Sequence, residues 1–148
     1  MIIALPLHIV AMIVWLGGLV AVVLLAYEIA PESRALWWFR SLKRLFLFAT
    51  PALATVLATG IALVQLRFGG FSKLPPLHRW NMLLGAPAIA LYLQTYVVSW
   101  RSLRRAVAAN DWNRANRDAS AVHVRFGFIV ALGVAAAVVS SVGRVTGL

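Results

Sequence analysis

Four long stretches without a charged residue constrain this chain more than any other feature of its sequence. They cover residues 2–27, 45–66, 80–100 and 126–143, and the shortest of them has 18 residues. A helix of roughly 20 apolar residues crosses the hydrocarbon core of a bilayer. The stretches also lack the polar–apolar alternation that is typical of membrane β-strands. The pattern therefore predicts an all-α integral membrane protein with four transmembrane helices.

The stretches predict a single transmembrane domain over residues 1–148, folded as an up-and-down four-helix bundle. We expect its helices at about 2–27, 45–66, 78–100 and 124–143. The composition agrees, because 62% of the residues are hydrophobic and only 12% are charged, against about 25% charged in a typical soluble domain. The first stretch lacks the basic start of a signal peptide, so we expect it to remain as helix one.

The basic residues lie mostly on one side of the predicted bundle. The two connections that share that side carry ten of them, namely Arg34, Arg40, Lys43, Arg44, Arg101, Arg104, Arg105, Arg114, Arg117 and Arg125. The opposite side carries Arg67, Lys73, Arg79 and Arg144. Because basic loops tend to stay in the cytoplasm, this asymmetry predicts that both termini face outside. It also explains the net charge of +10 without nucleic acid, and it favours contact with anionic lipids.

Two segments with the same spacing, LHIVAM and LHRWNM, contain the residues best suited to bind a ligand. Each places a Met four positions after a His, and positions i and i+4 share one face of a helix. In an up-and-down bundle both segments lie near the outer surface. We therefore expect a convergent set of ligands there, formed by His8, Met12, His78 and Met82.

The chemistry of this set is compatible with two different ligands. Imidazole and thioether groups favour Cu(I) among metal ions, and the same groups serve as axial ligands of haem iron. Trp15 continues the His8 face at i+7 as a wall of the site, and Gly17 and Gly18 leave room between helices for haem b. A third interpretation needs no ligand, since His and Met are ordinary in membrane helices. The chain is then an accessory subunit that packs against a larger membrane complex.

Several activities lack the residues that they need. The chain has no Cys, which excludes disulfides and thiolate metal sites. The charge-free stretches hold none of the intramembrane acids and bases that are usual in ion pumps, and Ser140 and Ser141 have no base near them in the sequence. The sequence therefore favours a binding protein over an enzyme.

Further predictions concern the inner side of the predicted bundle. His123 begins helix four, a membrane thickness away from the other two His residues. We expect it to be interfacial, with a second haem or a proton-entry role as alternatives. The pair Trp37-Trp38 predicts either a short interfacial helix or an early turn of helix two. Residues 101–122 suit a short polar helix or turn, and we expect Asp118 to pair with Arg125 of helix four across two turns.

The opening segment LHIVAMIVWLGG resembles the start of the copper-resistance D (CopD) membrane superfamily. The small stand-alone members of that group are similar in FGGF at residues 68–71, in Leu77-His78, in a tryptophan–arginine stretch at 100–112 and in Gly143-Arg144. The resemblance implies a four-helix unit in the bacterial inner membrane, with periplasmic termini, that takes part in copper handling or transport. It also implies that His8 and His78 are ligands.

The chain is more distantly similar to HemJ-type haem-binding proteins, which carry an early His on helix one. This second resemblance implies haem b that exchanges electrons with quinone, as an alternative to copper. The HemJ type also has a Lys in helix three, whereas residues 78–82 contain none. That departure weighs against oxidation of porphyrinogens. A homo-oligomer is compatible with both resemblances.

Overall fold

The structure is a computed structural model that describes residues 3–146, with side chains described for residues 3–139 other than Pro31. Its helices are α1 (Ala4–Ala26), α2 (Arg34–Phe68), α3 (Pro76–Gln94), α4 (Trp100–Ala108) and α5 (Trp112–Thr146). A π-helical turn, Thr95–Ser99, joins α3 to α4, so that Pro76–Ala108 is one continuous rod. Short 3₁₀ turns at Pro31–Ser33 and Phe71–Lys73 lie in two of the connections.

Four helical rods are long and apolar enough to cross a membrane, namely α1, α2, the α3–α4 rod and α5. The most apolar 18-residue window of each rod has a mean hydropathy between 1.4 and 2.8, yet only 22% to 28% of that window is buried inside the protein. Apolar side chains such as Ile13, Leu83 and Phe128 therefore point outward, as they do on helices that contact lipid. The predicted all-α membrane bundle is confirmed.

Short connections make each rod run opposite to the one before it. Gly69 and Gly70 end α2 with φ angles of 70° and 125°, which residues with a Cβ rarely adopt. Asn110, with φ 55°, makes the tight turn between α4 and α5, and Asn is among the residues that tolerate this conformation best. We call the end with the start of α1 and residues 69–75 the N-terminal end. The end with residues 27–33 and 109–111 is the basic end.

The helices extend beyond the predicted bounds at the basic end. The second helix begins at Arg34 instead of about residue 45, and the last one begins at Trp112 instead of about 124. Charge marks where a helix leaves the hydrocarbon, but it does not end the helix. Along the charged part of α2, Ala35, Trp38 and Leu42 are buried, and this spacing of three and four residues forms one apolar face.

The aromatic pair Trp37-Trp38 belongs to α2 and does not form a separate interfacial helix. Trp38 is 0% exposed, and its ring lies 5.8 Å from that of Phe126 in α5. One of the two predicted alternatives, an early turn of helix two, is therefore confirmed. The expected short helix or turn at 101–122 is seen in part: α4 ends at Ala108 and a three-residue turn follows, but the last helix already begins at Trp112.

Tyr92 joins three helices near the middle of the core. Its ring lies 5.8 Å from Trp15 of α1 and 5.8 Å from Phe46 of α2, edge to face in both cases. Its hydroxyl is 3.0 Å from the hydroxyl of Thr50 in α2. Each aromatic pair contributes about 0.5–1.5 kcal/mol beyond its buried area. These contacts fix α1 against α3, and the residues discussed next depend on that arrangement.

Candidate functional site

A cavity of about 140 Å³ lies between α1, α2, α3 and α5, toward the N-terminal end. We call it the His8 cavity. Its polar or sulfur-bearing lining side chains are His8, Met12 and Trp15 from α1 and Asn81 from α3. Apolar residues and glycines of all four helices form the rest of the lining. No Asp, Glu, Lys or Arg lines this cavity, so a ligand inside it meets uncharged groups.

The hydrogen bonds of His8 determine which ring nitrogen is free. Its Nδ1 lies 2.9 Å from Thr59 Oγ1, and that hydroxyl donates to the Thr55 carbonyl oxygen at 2.6 Å. A hydroxyl has one proton, so Thr59 acts as the acceptor for His8 and the imidazole donates from Nδ1. The neutral ring therefore carries its lone pair on Nε2. The ring also makes a hydrogen bond to the backbone carbonyl oxygen of Val56 in α2, and in a neutral imidazole a single N–H must serve both acceptors.

The backbone of α2 also packs against the His8 ring, next to the Thr59 contact. A Cβ placed at Gly60 would come within 3.4 Å of His8 Cε1, which shows how closely the ring packs on the helix. Thr59 and Gly60 together therefore orient the imidazole. Sequence analysis does not single out Thr59 or Gly60 and misses their role as partners of His8. A Thr-Gly pair in an apolar helix is the only signal for it, and that signal is weak.

Trp15 brings an unsatisfied donor to the same cavity. The side chain is 3% exposed, and its indole Nε1–H has no hydrogen-bond partner among the described residues. Leaving a buried donor unpaired costs about 1–3 kcal/mol. A ligand or water atom that accepts this hydrogen bond would recover part of that free energy. Only an acceptor atom can do so, because the indole N–H is a donor; the orphaned donor therefore fits a water molecule or a polar ligand and carries no argument for a cation.

Gly133 allows α5 to approach α1 at the cavity. A Cβ at this position would lie 2.9 Å from both terminal methyl carbons of Leu16, which also lines the cavity. Any larger residue at 133 would therefore push Leu16 aside. Gly85 of α3 differs, because a Cβ there would meet nothing within 4 Å. The cavity thus has one tightly packed glycine and one glycine that faces open space.

The second His–Met pair lies elsewhere. His78 is in the first turn of α3, where its ring packs edge to face against Phe68 at 4.8 Å. Phe68 comes nine residues after Thr59 in α2, about 13 Å farther along the helix axis. Met82 is 43% exposed, and neither residue lines the His8 cavity. The expected convergence of the two pairs is not seen, because spacing within a segment does not determine the rotation and depth of its helix.

The surroundings of His78 differ chemically from those of His8. Its Nδ1 is buried without a hydrogen-bond partner in the part of the chain that the structure describes. The guanidinium of Arg67 lies 5.7 Å over the same Phe68 ring. A second cation is disfavoured next to a guanidinium. The environment of His78 therefore suits aromatic packing better than metal binding.

Gly17 and Gly18 do not line the cavity. A Cβ at Gly18 would lie 3.1 Å from Leu45 Cδ1, so this glycine serves the contact between α1 and α2. A Cβ at Gly17 would meet nothing within 4 Å. The two glycines also follow His8 by nine and ten residues, about 14 Å along the helix. The flat slot that the sequence suggests for haem is not formed at these positions.

His123 lies at the basic end, as predicted, away from the His8 cavity. Its ring is 4.8 Å from Tyr27 and 5.8 Å from Trp38, edge to face with both. The predicted pair between Asp118 and Arg125 is wrong. Arg125 instead donates to Ser99 Oγ in the π turn, because its long side chain reaches across to the adjacent rod. Asp118 Oδ2 is buried without a hydrogen-bond partner among residues 3–139.

No group of three or more His, Cys, Asp or Glu residues that could hold a metal ion occurs in the described part of the chain. The donors of the His8 cavity are of another kind, namely one imidazole, one thioether and one amide. Comparison of the chain with family models, curated proteins and solved structures finds no match. The interpretation of the site therefore depends on its geometry and its chemistry.

Proposed function

We propose that this chain is a non-enzymatic membrane protein that binds one Cu(I) ion in the His8 cavity and takes part in copper handling. The observation that carries the proposal is that His8 and Met12 line one uncharged cavity. The bond between His8 Nδ1 and Thr59 leaves Nε2 of His8 for the ion. Cu(I) is the cargo of this protein in the proposal.

The donor chemistry supports Cu(I) over other ions. A thioether is a soft ligand that selects Cu(I), whereas magnesium and calcium prefer oxygen ligands. The neutral imidazole is the form of His that binds metals, and a hydrogen bond from its other nitrogen orients the ring. Thr59 supplies that orientation for His8. Asn81, on the opposite wall, adds an amide oxygen within the same cavity.

The size of the cavity disfavours haem. Its volume is about 140 Å³, whereas pockets for drug-sized ligands measure roughly 300–1,000 Å³, and haem belongs to that size class. A haem b protein that exchanges electrons with quinone would require α3 and α5 to move away from α1. The close contact between Gly133 and Leu16 opposes that movement. The geometry therefore supports a small ion better.

The charge distribution supports a location for the cavity. Ten basic residues lie at the basic end against four at the opposite end, so the basic end is proposed to face the cytoplasm. The His8 cavity then lies in the periplasmic half of a bacterial inner membrane, with both termini on that side. The resemblance to the CopD superfamily supports the same location and the same cargo.

The test is a titration of the purified full-length chain with Cu(I) under anaerobic conditions, against a chromophoric chelator as competitor. We expect one Cu(I) per chain for the native protein and for His78→Ala, and none retained against the chelator by His8→Ala. Both substitutions remove one imidazole, so His78→Ala is the matched control for His8→Ala. Retention of copper by His8→Ala would contradict the proposal.

The absorption spectrum of protein purified from its own membrane distinguishes the copper, haem and accessory-subunit interpretations. A Soret band would show haem and would remove the copper proposal. A colourless protein that fails to take up Cu(I) and co-purifies with a fixed set of membrane proteins would point to the accessory subunit. Elemental analysis of the same sample identifies any metal that the protein already carries.

A further inference from the structure

A second, wider groove of about 370 Å³ lies on the outer surface of the α3–α4 rod, at the basic end. Its lining consists of Val97, Val98, Arg101, Ser102 and Arg105. We call it the Arg101 groove. It is separate from the His8 cavity and shares no residue with it. Nothing in the copper proposal uses these residues.

The π turn shapes the upper part of the groove. Its terminal residues, Thr95 and Ser99, face the core and make hydrogen bonds there. Val97 and Val98, between them, are 43% and 58% exposed. A π turn inserts an extra residue into a helix and often marks a functional site. Here it places two apolar side chains on the outer surface directly above a basic turn.

The lower part of the groove is strongly basic. Arg101 and Arg105 are four residues apart, so they are neighbours on one helix face. Neither guanidinium has a hydrogen-bond or ion-pair partner within the described residues. Two like charges in this arrangement destabilise a helix slightly. A bound anion between them would remove that repulsion and satisfy their donors.

Ser102 completes the polar part. Its Oγ lies 3.3 Å from Arg114 Nη2 of α5, which donates to it. The hydroxyl proton of Ser102 is therefore free to be donated to an anion. The same bond brings a third guanidinium to the groove. The one acid of this turn, Asp111, accepts the backbone N–H of Arg114 and caps α5.

We propose that the Arg101 groove binds an anionic phospholipid. Its phosphate lies between Arg101, Arg105 and the Ser102 hydroxyl, and an acyl chain follows Val97 and Val98 toward the hydrocarbon. Guanidinium groups bind phosphate oxygens through paired hydrogen bonds, and basic pockets at the cytoplasmic side of membrane proteins bind anionic headgroups. The apolar upper part argues for a lipid instead of free phosphate, because free phosphate would gain nothing from two valines.

The experiment measures how the purified full-length chain in neutral detergent retains phosphatidylglycerol, by native mass spectrometry and by the shift in melting temperature. We expect phosphatidylglycerol to bind and to raise the melting temperature, and phosphatidylcholine to do neither. Arg105→Gln should weaken phosphatidylglycerol binding about tenfold, which is the usual effect of losing one hydrogen bond to a charged group. Arg101→Gln should act similarly.

Arg104→Gln is the matched control. Arg104 lies on the same helix, is exposed and loses the same charge in the variant, but it does not line the groove. We expect its lipid binding to match that of the native protein. An equal loss in Arg104→Gln and Arg105→Gln would show general attraction by the basic end and would overturn the site. Equal stabilisation by inorganic phosphate, or by phosphatidylcholine, would overturn the assignment to an anionic lipid.

Discussion

The segments LHIVAM and LHRWNM have the same spacing but different environments in the bundle. His8 donates a hydrogen bond to Thr59 and faces a cavity shared with Met12. His78 packs on the ring of Phe68 and has a buried nitrogen without a partner in the described chain. Met12 packs against the hydrophobic core, whereas Met82 is largely exposed. The same local pattern thus forms a candidate binding site in α1 and a packing contact in α3.

The difference comes from the facing helix. Opposite His8, α2 presents a threonine and a glycine, which accept a hydrogen bond and leave room for a ring. Opposite His78, the end of the same helix presents Phe68, which offers neither an acceptor nor space. A motif within one helix therefore has chemical meaning only together with the residues that face it. The following predictions test this contrast, in order of decreasing effect.

Removal of the imidazole should separate the two segments most strongly. His8→Ala should lower Cu(I) affinity by more than about 100-fold, because loss of a ligand exceeds the 10–100-fold effect of losing its hydrogen-bond partner. His78→Ala should leave the affinity unchanged. The measurement is the Cu(I) titration with a competing chelator. Equal losses in the two variants would show that both His residues bind the ion and that the contrast is false.

Removal of the partner of His8 should have the next largest effect. Thr59→Val keeps the shape of the side chain but removes the acceptor for His8 Nδ1. We expect Cu(I) affinity to fall about 10–100-fold and the free energy of unfolding to fall by about 1 kcal/mol. Thr55→Val is the control, since the Thr55 hydroxyl donates to the Pro51 carbonyl oxygen. If Thr55→Val lowers the Cu(I) affinity as much as Thr59→Val does, the loss does not come from the orientation of His8 by Thr59.

Replacement of the thioethers should give a smaller difference. Met12→Leu keeps the size of the side chain and removes a soft ligand, so we expect Cu(I) affinity to fall about tenfold, the equivalent of 1.4 kcal/mol. Met82→Leu should have no effect, because Met82 lies outside the cavity. X-ray absorption at the copper edge provides a second readout, since Met12→Leu should remove a sulfur scatterer. Sulfur that persists in Met12→Leu would contradict this assignment.

The smallest effect concerns stability at the second segment. Phe68→Leu removes the ring that packs on His78 and should lower the free energy of unfolding by about 0.5–1.5 kcal/mol, the usual contribution of an aromatic pair. Cu(I) affinity should stay at its native value. Thermal unfolding in detergent and the Cu(I) titration measure the two quantities on the same sample. A drop in affinity would mean that the His78 region contributes to the ion site after all.

Some features of the fold are readable directly from the sequence, and others are not. The charge-free stretches predict the four helices, because burying a charge in hydrocarbon is costly and a helix satisfies its own backbone. They do not predict where α2 and α5 begin, since amphipathic turns continue the helix beyond the membrane. Trp38 illustrates this, because its aromatic and basic neighbours suggest an interface whereas it lies in the core.

The candidate site divides in the same way. Sequence analysis finds His8, Met12 and Trp15 from their spacing on one helix face, and all three line the cavity. It does not find Thr59, which lies 51 residues from its partner. It also misplaces His78 and the partner of Arg125. These residues depend on contacts between helices, and spacing along one helix carries no information about such contacts.

The sequence by itself determined that this protein is a bundle of membrane helices with one strongly basic end, because hydrophobicity and charge act locally along the chain. Only the tertiary structure decided which of the two His–Met pairs meets a hydrogen-bond acceptor and a cavity. That outcome depends on how far each helix is rotated and shifted against its neighbours. Close packing of side chains such as Tyr92, Leu16 and Phe68 sets both quantities.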